Sequence, residues 1–339
     1  MNLKTYGMAM FNKVFIESNY LEHPRVFRIL EKIKYQDKIP INDIGDVWGR
    51  VKKPYLQKRT NLNLFIGAKK GQLVKEAPPA YGAGTQKHFY FIHAYNCIYE
   101  CEYCYLQGHF NTPDLVFFVN HHEIIEEMKE VALNNPGCWF HAGEFSDSLA
   151  LSHITGELPE YFDFFKNNPD EKLEIRTKSV NIKELLKLKP LPNIFVSFSL
   201  SSEYSAKKFD LKTPPTKHRI NAIEKLVQAG YRIGIHFDPI IYVNNFEKDY
   251  EDIITNLSQV LPDSSLAYIS IGVVRFTGDV YHQTIRNYPD SEISHTLFSK
   301  SEDGKVRYNR PMRKWILNKI REKLLPYYQN DKIYECMED

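Results

Sequence analysis

From about residue 88 onward, short β-rich runs alternate with stretches of helical period, and this alternation narrows the possible folds more than any other feature of the chain. The runs are HFYFIHAYN (88 to 96), CWFHAG (138 to 143), LEIRT (173 to 177), IFVSFS (194 to 199), YRIGIHF (231 to 237) and LAYISIGVV (266 to 274). Between them the pattern predicts helices over about 121 to 133, 155 to 167, 181 to 188, 216 to 229 and 246 to 260. Strands separated by helices of that length cannot pair as hairpins, so they imply an α/β fold with a parallel sheet and helical crossovers, either an open doubly wound sheet or a barrel. Six units are too few for a complete eight-fold barrel. In both architectures the chemistry belongs at the C-terminal ends of the strands.

One such end carries CIYECEYC, which places Cys97, Cys101 and Cys104 in C-x3-C-x2-C spacing directly after the first run. A structural zinc site takes four ligands, so this triplet would need His109, His121 or Cys138 to complete it. A 4Fe-4S cluster also takes four thiolates, and three leave one iron open to an exogenous ligand. On a loop after the first strand of a β/α fold, the spacing resembles that of radical S-adenosylmethionine enzymes. In those enzymes the amino and carboxylate groups of the cofactor chelate the open iron, and one-electron reduction releases a 5'-deoxyadenosyl radical.

Other strand ends supply further candidates. Gly143-Glu144 follows the second run, where such enzymes often carry Gly-Gly-Glu; here Ala142 replaces the first glycine. A carboxylate at that place suits the cationic amine of the cofactor; the plainer reading is a turn followed by a surface acid. Lys178 is placed to pair with the cofactor carboxylate, Ser199 to hydrogen-bond it, and Asp238 to meet ribose or substrate. Each of these residue types also serves as a cap or a surface group, and Asp238 before Pro239 also fits a turn.

Composition limits the rest. With a net charge of +2 over 339 residues, the chain has no global basic field of a nucleic-acid binder, and any such contact must be local. Two segments qualify, GRVKKPYLQKR (49 to 59) and KVRYNRPMRKW (305 to 315), which mix cations with aromatics; an ordinary solvated charged face is the alternative. Five cysteines, three of them within eight residues, do not form a disulfide framework. The start, MNLKTYGMAMFNKVF, lacks the succession of a signal peptide, and no apolar run approaches a membrane span. A cytoplasmic protein without membrane association is expected.

With these residues in view, the chain resembles the spore photoproduct lyase family, radical S-adenosylmethionine enzymes that split a methylene-bridged thymine dimer in DNA. The resemblance rests on CEYCYLQ, on HPRVFRILEKIK with KRTNLNLFIGAKKG upstream, on SDSLALSHITG, and on the later KSVN, SFSLSSEY, RINAIEKLVQAGY and DPIIY in the same order. It implies a partial (β/α)6 TIM-like barrel over 88–275, an N-terminal extension over 1–87 and a substrate-side helical and basic segment over 276–339. It implies a 4Fe-4S cluster on Cys97, Cys101 and Cys104, with S-adenosylmethionine contacted by Lys178, Ser199 and Ser146. Tyr103 and Tyr105 match two tyrosines of a hydrogen-atom relay; aromatics around such a loop also shield a cluster from solvent. The implied partners are a damaged pyrimidine dinucleotide in DNA and an external electron donor such as flavodoxin or ferredoxin.

One position departs from the family. Glu144 stands where the lyases place a hydrogen-donating cysteine, and a carboxylate does not donate a hydrogen atom as a thiol does. Cys138 sits at the other end of the same strand, at about 3.3 Å per residue roughly 20 Å away, and reads as a core thiol. Cys336 lies in the terminal segment, which is able to fold back over the barrel mouth or to be an incidental tail. The departure leaves the product radical to be quenched through Tyr103 or Tyr105 or through Cys336, or it leaves two other readings: a radical enzyme acting on another nucleic acid, nucleotide or small molecule, and a non-catalytic iron-sulfur protein that binds nucleic acid.

Overall fold

A computed structural model describes residues 9–49, 62–78 and 86–338, and among them the strands form two large sheets. The larger contains the six strands expected from the alternation: His88–Phe91, Trp139–Ala142, Lys172–Thr177, Ile194–Ser199, Arg232–Ile240 and Leu266–Val273, here called the first to sixth core strands. Adjacent core strands pair in parallel, in sequence order. The fourth is buried along its whole length, which is what a parallel strand covered on both faces requires.

Two further strands extend this sheet. Val74–Glu76 pairs antiparallel with the first core strand, and Ile333–Glu335 pairs parallel with the sixth, Ile269 facing Ile333 and Ile271 facing Glu335. The terminal segment KIYECMED is therefore a sheet strand. Its direction carries the following residue, Cys336, to the same end of the sheet as the other functional loops.

The crossover helices follow from apolar spacing. In His121–Asn134 the buried residues include Ile124, Met128 and Ala132, one per turn on one face. In Phe246–Val260 they are Phe246, Tyr250, Ile253, Ile254 and Leu257. One expected helix is absent: over 181 to 188 there is only the short 3-10 turn Leu185–Lys187. Pro190 and Pro192 disfavour helical backbone at the residues before them. Asn181 meanwhile ties the segment sideways, its amide donating to the Leu149 carbonyl at 2.9 Å.

The first predicted strand also ends early. After Phe91 the chain leaves for the smaller sheet, where Ala94–Tyr95 pairs antiparallel with Leu115–Phe118. That sheet is completed by Leu64–Gly67, Ala9–Glu17 and, at its edge, Ile33–Ile41, all parallel. The sequence of 1 to 87 shows little of this, because the edge strand IKYQDKIPI is largely exposed and carries the lysines and proline that protect an edge. Buried Phe11, Val14, Ile16, Val26 and Ile29 form a separate core beneath it.

Candidate active site

The cysteine loop is fastened before it is functional. Glu100–Cys101 pairs antiparallel with Asp210–Leu211, setting Cys101 opposite Asp210. The buried Asp210 carboxylate accepts from the Tyr103 hydroxyl, from Arg219 Nη1 at 3.1 Å and from Ser201 Oγ at 3.3 Å. Arg219 is wholly buried and spends its remaining donors on the carbonyls of Ser199 (2.9 Å) and Pro214 (2.9 Å) and on Thr213 Oγ1 (2.5 Å). On the other side Gln107 Nε2 donates to the Cys101 carbonyl at 2.7 Å. The loop is thus tied to the segment after the fourth strand by a satisfied buried ion pair.

At the C-terminal ends of the core strands lies a cavity of about 510 Å³. All ten residues singled out from sequence line it: Cys97, Cys101, Cys104, Tyr103 and Tyr105 from the cysteine loop, Glu144 and Ser146 after the second strand, Lys178 after the third, Ser199 ending the fourth, and Asp238 in the fifth.

Lys178 Nζ lies 5.5 Å from the centre of the Tyr103 ring. Burial disfavours its charge, but Cys101 and Asp210 outweigh that and raise its pKa above the ordinary lysine value. Conversely, burial pushes the Cys101 thiol well up, and Lys178 pulls it the other way. Lys178 is positioned by Asp147, whose carboxylate accepts from the Lys178 backbone N–H (2.8 Å), Thr177 Oγ1 (2.6 Å) and the Ala150 N–H (2.8 Å). Ser199 is 7% exposed, and its hydroxyl makes no hydrogen bond among the described residues.

Glu144 owes its place to Gly143, whose φ of +87° is a left-handed conformation. A Cβ there would also stand 2.4 Å from Ser148 Oγ, which donates to the Ala142 carbonyl at 2.6 Å. The Tyr105 hydroxyl donates to the Glu144 backbone carbonyl. Asp238 is more than a turn residue, since Arg275 grips both its oxygens, at 2.8 and 2.9 Å. Burial alone would raise its pKa; Arg275 lowers it further than that and keeps the carboxylate ionised.

Several groups of the site escaped the sequence reading. Arg275, which lines the cavity, and the buried pair Asp210–Arg219 behind the cysteine loop are revealed only by pairing across the fold. Glu174, buried in the third strand, accepts from Ser197 Oγ (2.6 Å), Tyr268 OH (2.5 Å) and Arg176 Nη2 (3.0 Å), and contacts His141 and His236. Glu174, His141 and Arg176 line the cavity. A charged residue inside LEIRT was the available signal. Cys336 also lines the cavity, whereas Cys138 is 1% exposed in the core, its thiol pushed up to about 12 by burial.

The donor set fits the implied cofactors. No group of three or more thiols, imidazoles and carboxylates among the described residues converges on a single metal ion. A four-iron cluster instead takes its thiolates on separate irons, and three thiols lining one cavity beside the Lys178 cation and the Ser199 hydroxyl suit it.

Parallel core strands gathering this set at their C-terminal ends define the class, the radical S-adenosylmethionine fold. A solved spore photoproduct lyase mutant with bound AdoMet and dinucleoside spore photoproduct matches 98% of this chain and 100% of its own, with TM-score 0.81 and 20% identity. Another mutant of that enzyme matches the same shares with TM-score 0.82. Among curated relatives, the spore photoproduct lyase of Bacillus subtilis (strain 168) is 27% identical over 294 residues, covering 83% of each chain. That of Clostridium acetobutylicum is 23% identical over 290 residues, covering 84% of each. The spore photoproduct lyase family model matches residues 10–335. The chain belongs to that family, as a radical S-adenosylmethionine lyase.

Proposed function

We propose that this chain repairs a methylene-bridged thymine photoproduct in DNA, with Cys97, Cys101 and Cys104 holding a 4Fe-4S cluster and Lys178, Ser199, Ser146 and Glu144 holding S-adenosylmethionine. The observation that carries the reading is the convergence of these residues on one cavity in a chain of this family. When bound, the cluster and cofactor supply a 5'-deoxyadenosyl radical that abstracts a hydrogen atom from the bridging carbon. The protein's task is to position and shield.

Lys178 offers a cation for the cofactor carboxylate, Ser199 a free donor, and Glu144 an acceptor for its amine. Asp238, held ionised by Arg275, faces ribose or the lesion. Tyr103 and Tyr105 are placed as relay residues, with Asp210 accepting the proton side of Tyr103. The gathering of loops from every core strand around one cavity supports a partial (β/α)6 barrel over 88–275, with 1–87 as an extension and 276–339 as the substrate side.

DNA meets a local rim. Of the basic segment 305 to 315, Arg307 and Arg313 are buried and turned inward to Asp303 and Glu338, because these ion pairs clamp the chain end. Lys305 is itself paired with Asp303 at 3.1 Å, which leaves the exposed Arg310 and Lys314 and the 40% exposed Trp315 for phosphate and base contacts. The other basic segment, 49 to 59, lies outside the described residues except for Gly49. No helix of the described residues is long and apolar enough to cross a membrane, and a cytoplasmic enzyme served by a flavodoxin- or ferredoxin-type donor fits.

The test is anaerobic reconstitution followed by incubation with a defined spore-photoproduct dinucleotide. Thymine products should appear together with 5'-deoxyadenosine. Cofactor cleavage without lesion loss would overturn the substrate, and absence of both would overturn the reading altogether.

A further inference from the structure

We infer that Cys336 is the hydrogen-atom donor that ends the reaction. Resting on the repair reading above, the inference names the residue that returns hydrogen to the product.

Scission of the bridge leaves a carbon-centred radical that must gain one hydrogen atom. Among side chains a thiol S–H is weak enough to give one readily, while carboxyl and alcohol O–H bonds are not. The cavity is lined by four thiols, and three belong to the C-x3-C-x2-C motif. The fourth is Cys336. The remaining cysteine, Cys138, is sealed in the core, and the acids beside the two tyrosines, Asp210 at Tyr103 and Glu144 at Tyr105, have no such hydrogen to give. The hydroxyls of Tyr103 and Tyr105, held by Asp210 and by the Glu144 carbonyl, belong to the relay proposed above, which communicates with the product through the thiol rather than donating to it directly.

Cys336 is built into the wall, not trailing past it. Its backbone N–H donates to the Ile271 carbonyl at 2.8 Å, continuing the strand pairing beside the sixth core strand. The next two residues are clamped: Arg307 Nη1 donates to the Met337 carbonyl at 2.8 Å, and Arg313 Nε to Glu338 at 2.7 Å. Arg275 Nη2 donates to the Cys336 sulfur at 3.5 Å while holding Asp238. Burial first, then the neighbouring Asp238 carboxylate, pushes the thiol up to about 11, so the group stays S–H and carries the atom it must transfer. The same cavity is lined by Ser199, a residue 7% exposed whose hydroxyl has no hydrogen bond among the described residues, which marks it as a ligand site independently of any cysteine.

The step balances. The S–H bond of Cys336 breaks homolytically and a C–H bond forms on the thymine methyl, leaving a thiyl radical. One electron from the one-electron reductant that serves the cluster and one proton from solvent restore the thiol.

The experiment uses the reconstituted holoenzyme in D2O with the dinucleotide lesion. Thiol protons exchange with solvent, whereas carbon-bound hydrogens of 5'-deoxyadenosine do not. Wild-type enzyme should place one deuterium in the thymine methyl. Cys336→Ser keeps the size and a hydrogen-bonding group while removing the weak bond, and Cys336→Ala removes both. Each should lower deuterated thymine per 5'-deoxyadenosine by at least about tenfold. Deuterium at the wild-type level in either variant, or none in the wild type, would overturn the assignment. A second measurement does not need turnover: a small methylating thiol reagent should modify Cys336 in the holoenzyme at a rate that rises with pH up to about 10, as a thiol pushed up to about 11 requires, and the dinucleotide should protect it. A Cys336 that resists the reagent at every pH of that series overturns the inference even if the lesion proves not to be the substrate. Cofactor cleavage without lesion loss would instead strike the repair reading, leaving labelling to judge Cys336.

Discussion

At the scale of single residues, the site depends on charges that are buried only because they are paired. Arg219 and Asp210 hold the cysteine loop to the segment after the fourth strand, and removing one partner leaves an uncompensated charge in the interior. Arg219→Ala should cost about 3–5 kcal/mol of stability, read as a lower urea midpoint with little change in slope. Replacing any one of Cys97, Cys101 or Cys104 with alanine should abolish the iron-sulfur absorbance after reconstitution and the release of 5'-deoxyadenosine with it. Cys138→Ala, by contrast, should retain the absorbance and lower stability only, since this thiol lies in the core away from the cavity. Those cysteines were legible from spacing alone. Arg219 was not, because a helix whose buried face also carries Ile220, Ile223 and Leu226 gives no sign that one charged member turns inward.

At the scale of elements, turns and junctions decide where those side chains point. Gly143→Ala meets both a left-handed φ and a contact with Ser148, and should cost about 1–3 kcal/mol while displacing Glu144. Calorimetry and the apparent affinity for S-adenosylmethionine would both register it. The junction where the chain passes between the two sheets buries His93, whose pKa is lowered to about 4 by desolvation. A histidine that is neutral when folded and protonates near pH 6.5 when unfolded gives full stability above that value. Its contribution is lost as pH falls from about 6.5 towards 4, on the order of 3 kcal/mol in total. His93→Leu should flatten stability over that window in denaturant titrations at stepped pH. The alternating pattern foretold the core strands, yet it ran HFYFIHAYN together as one, since both halves are apolar and only tertiary pairing separates them.

At the scale of the whole molecule, a net charge of +2 means that DNA affinity must come from a rim and fall with salt. The double variant Arg310→Ala, Lys314→Ala should weaken binding to a lesion-bearing duplex and reduce the logarithmic salt slope by about 1 for each phosphate contact removed. Fluorescence anisotropy across a salt series measures this, and an unchanged slope would place the DNA elsewhere. The basic segment read as a single patch in sequence. Folding divided it, because the chain end needed Arg307 and Arg313 for Glu338.

What the amino-acid order determined by itself is what local spacing and periodicity encode. That comprises six parallel strands with all but one of the expected crossover helices, the three-cysteine motif, and polar residues at strand ends that do meet in one cavity. Tertiary structure alone decided the rest. It built a second sheet with short buried strands behind one polar edge strand, buried Arg219 against Asp210, and paired Arg275 with Asp238. It also brought Cys336 back across the sheet into the cavity. Periodicity is a property of neighbours along the chain, whereas a buried ion pair or a returning strand joins residues far apart in sequence, whose partnership exists only once the strands are in register.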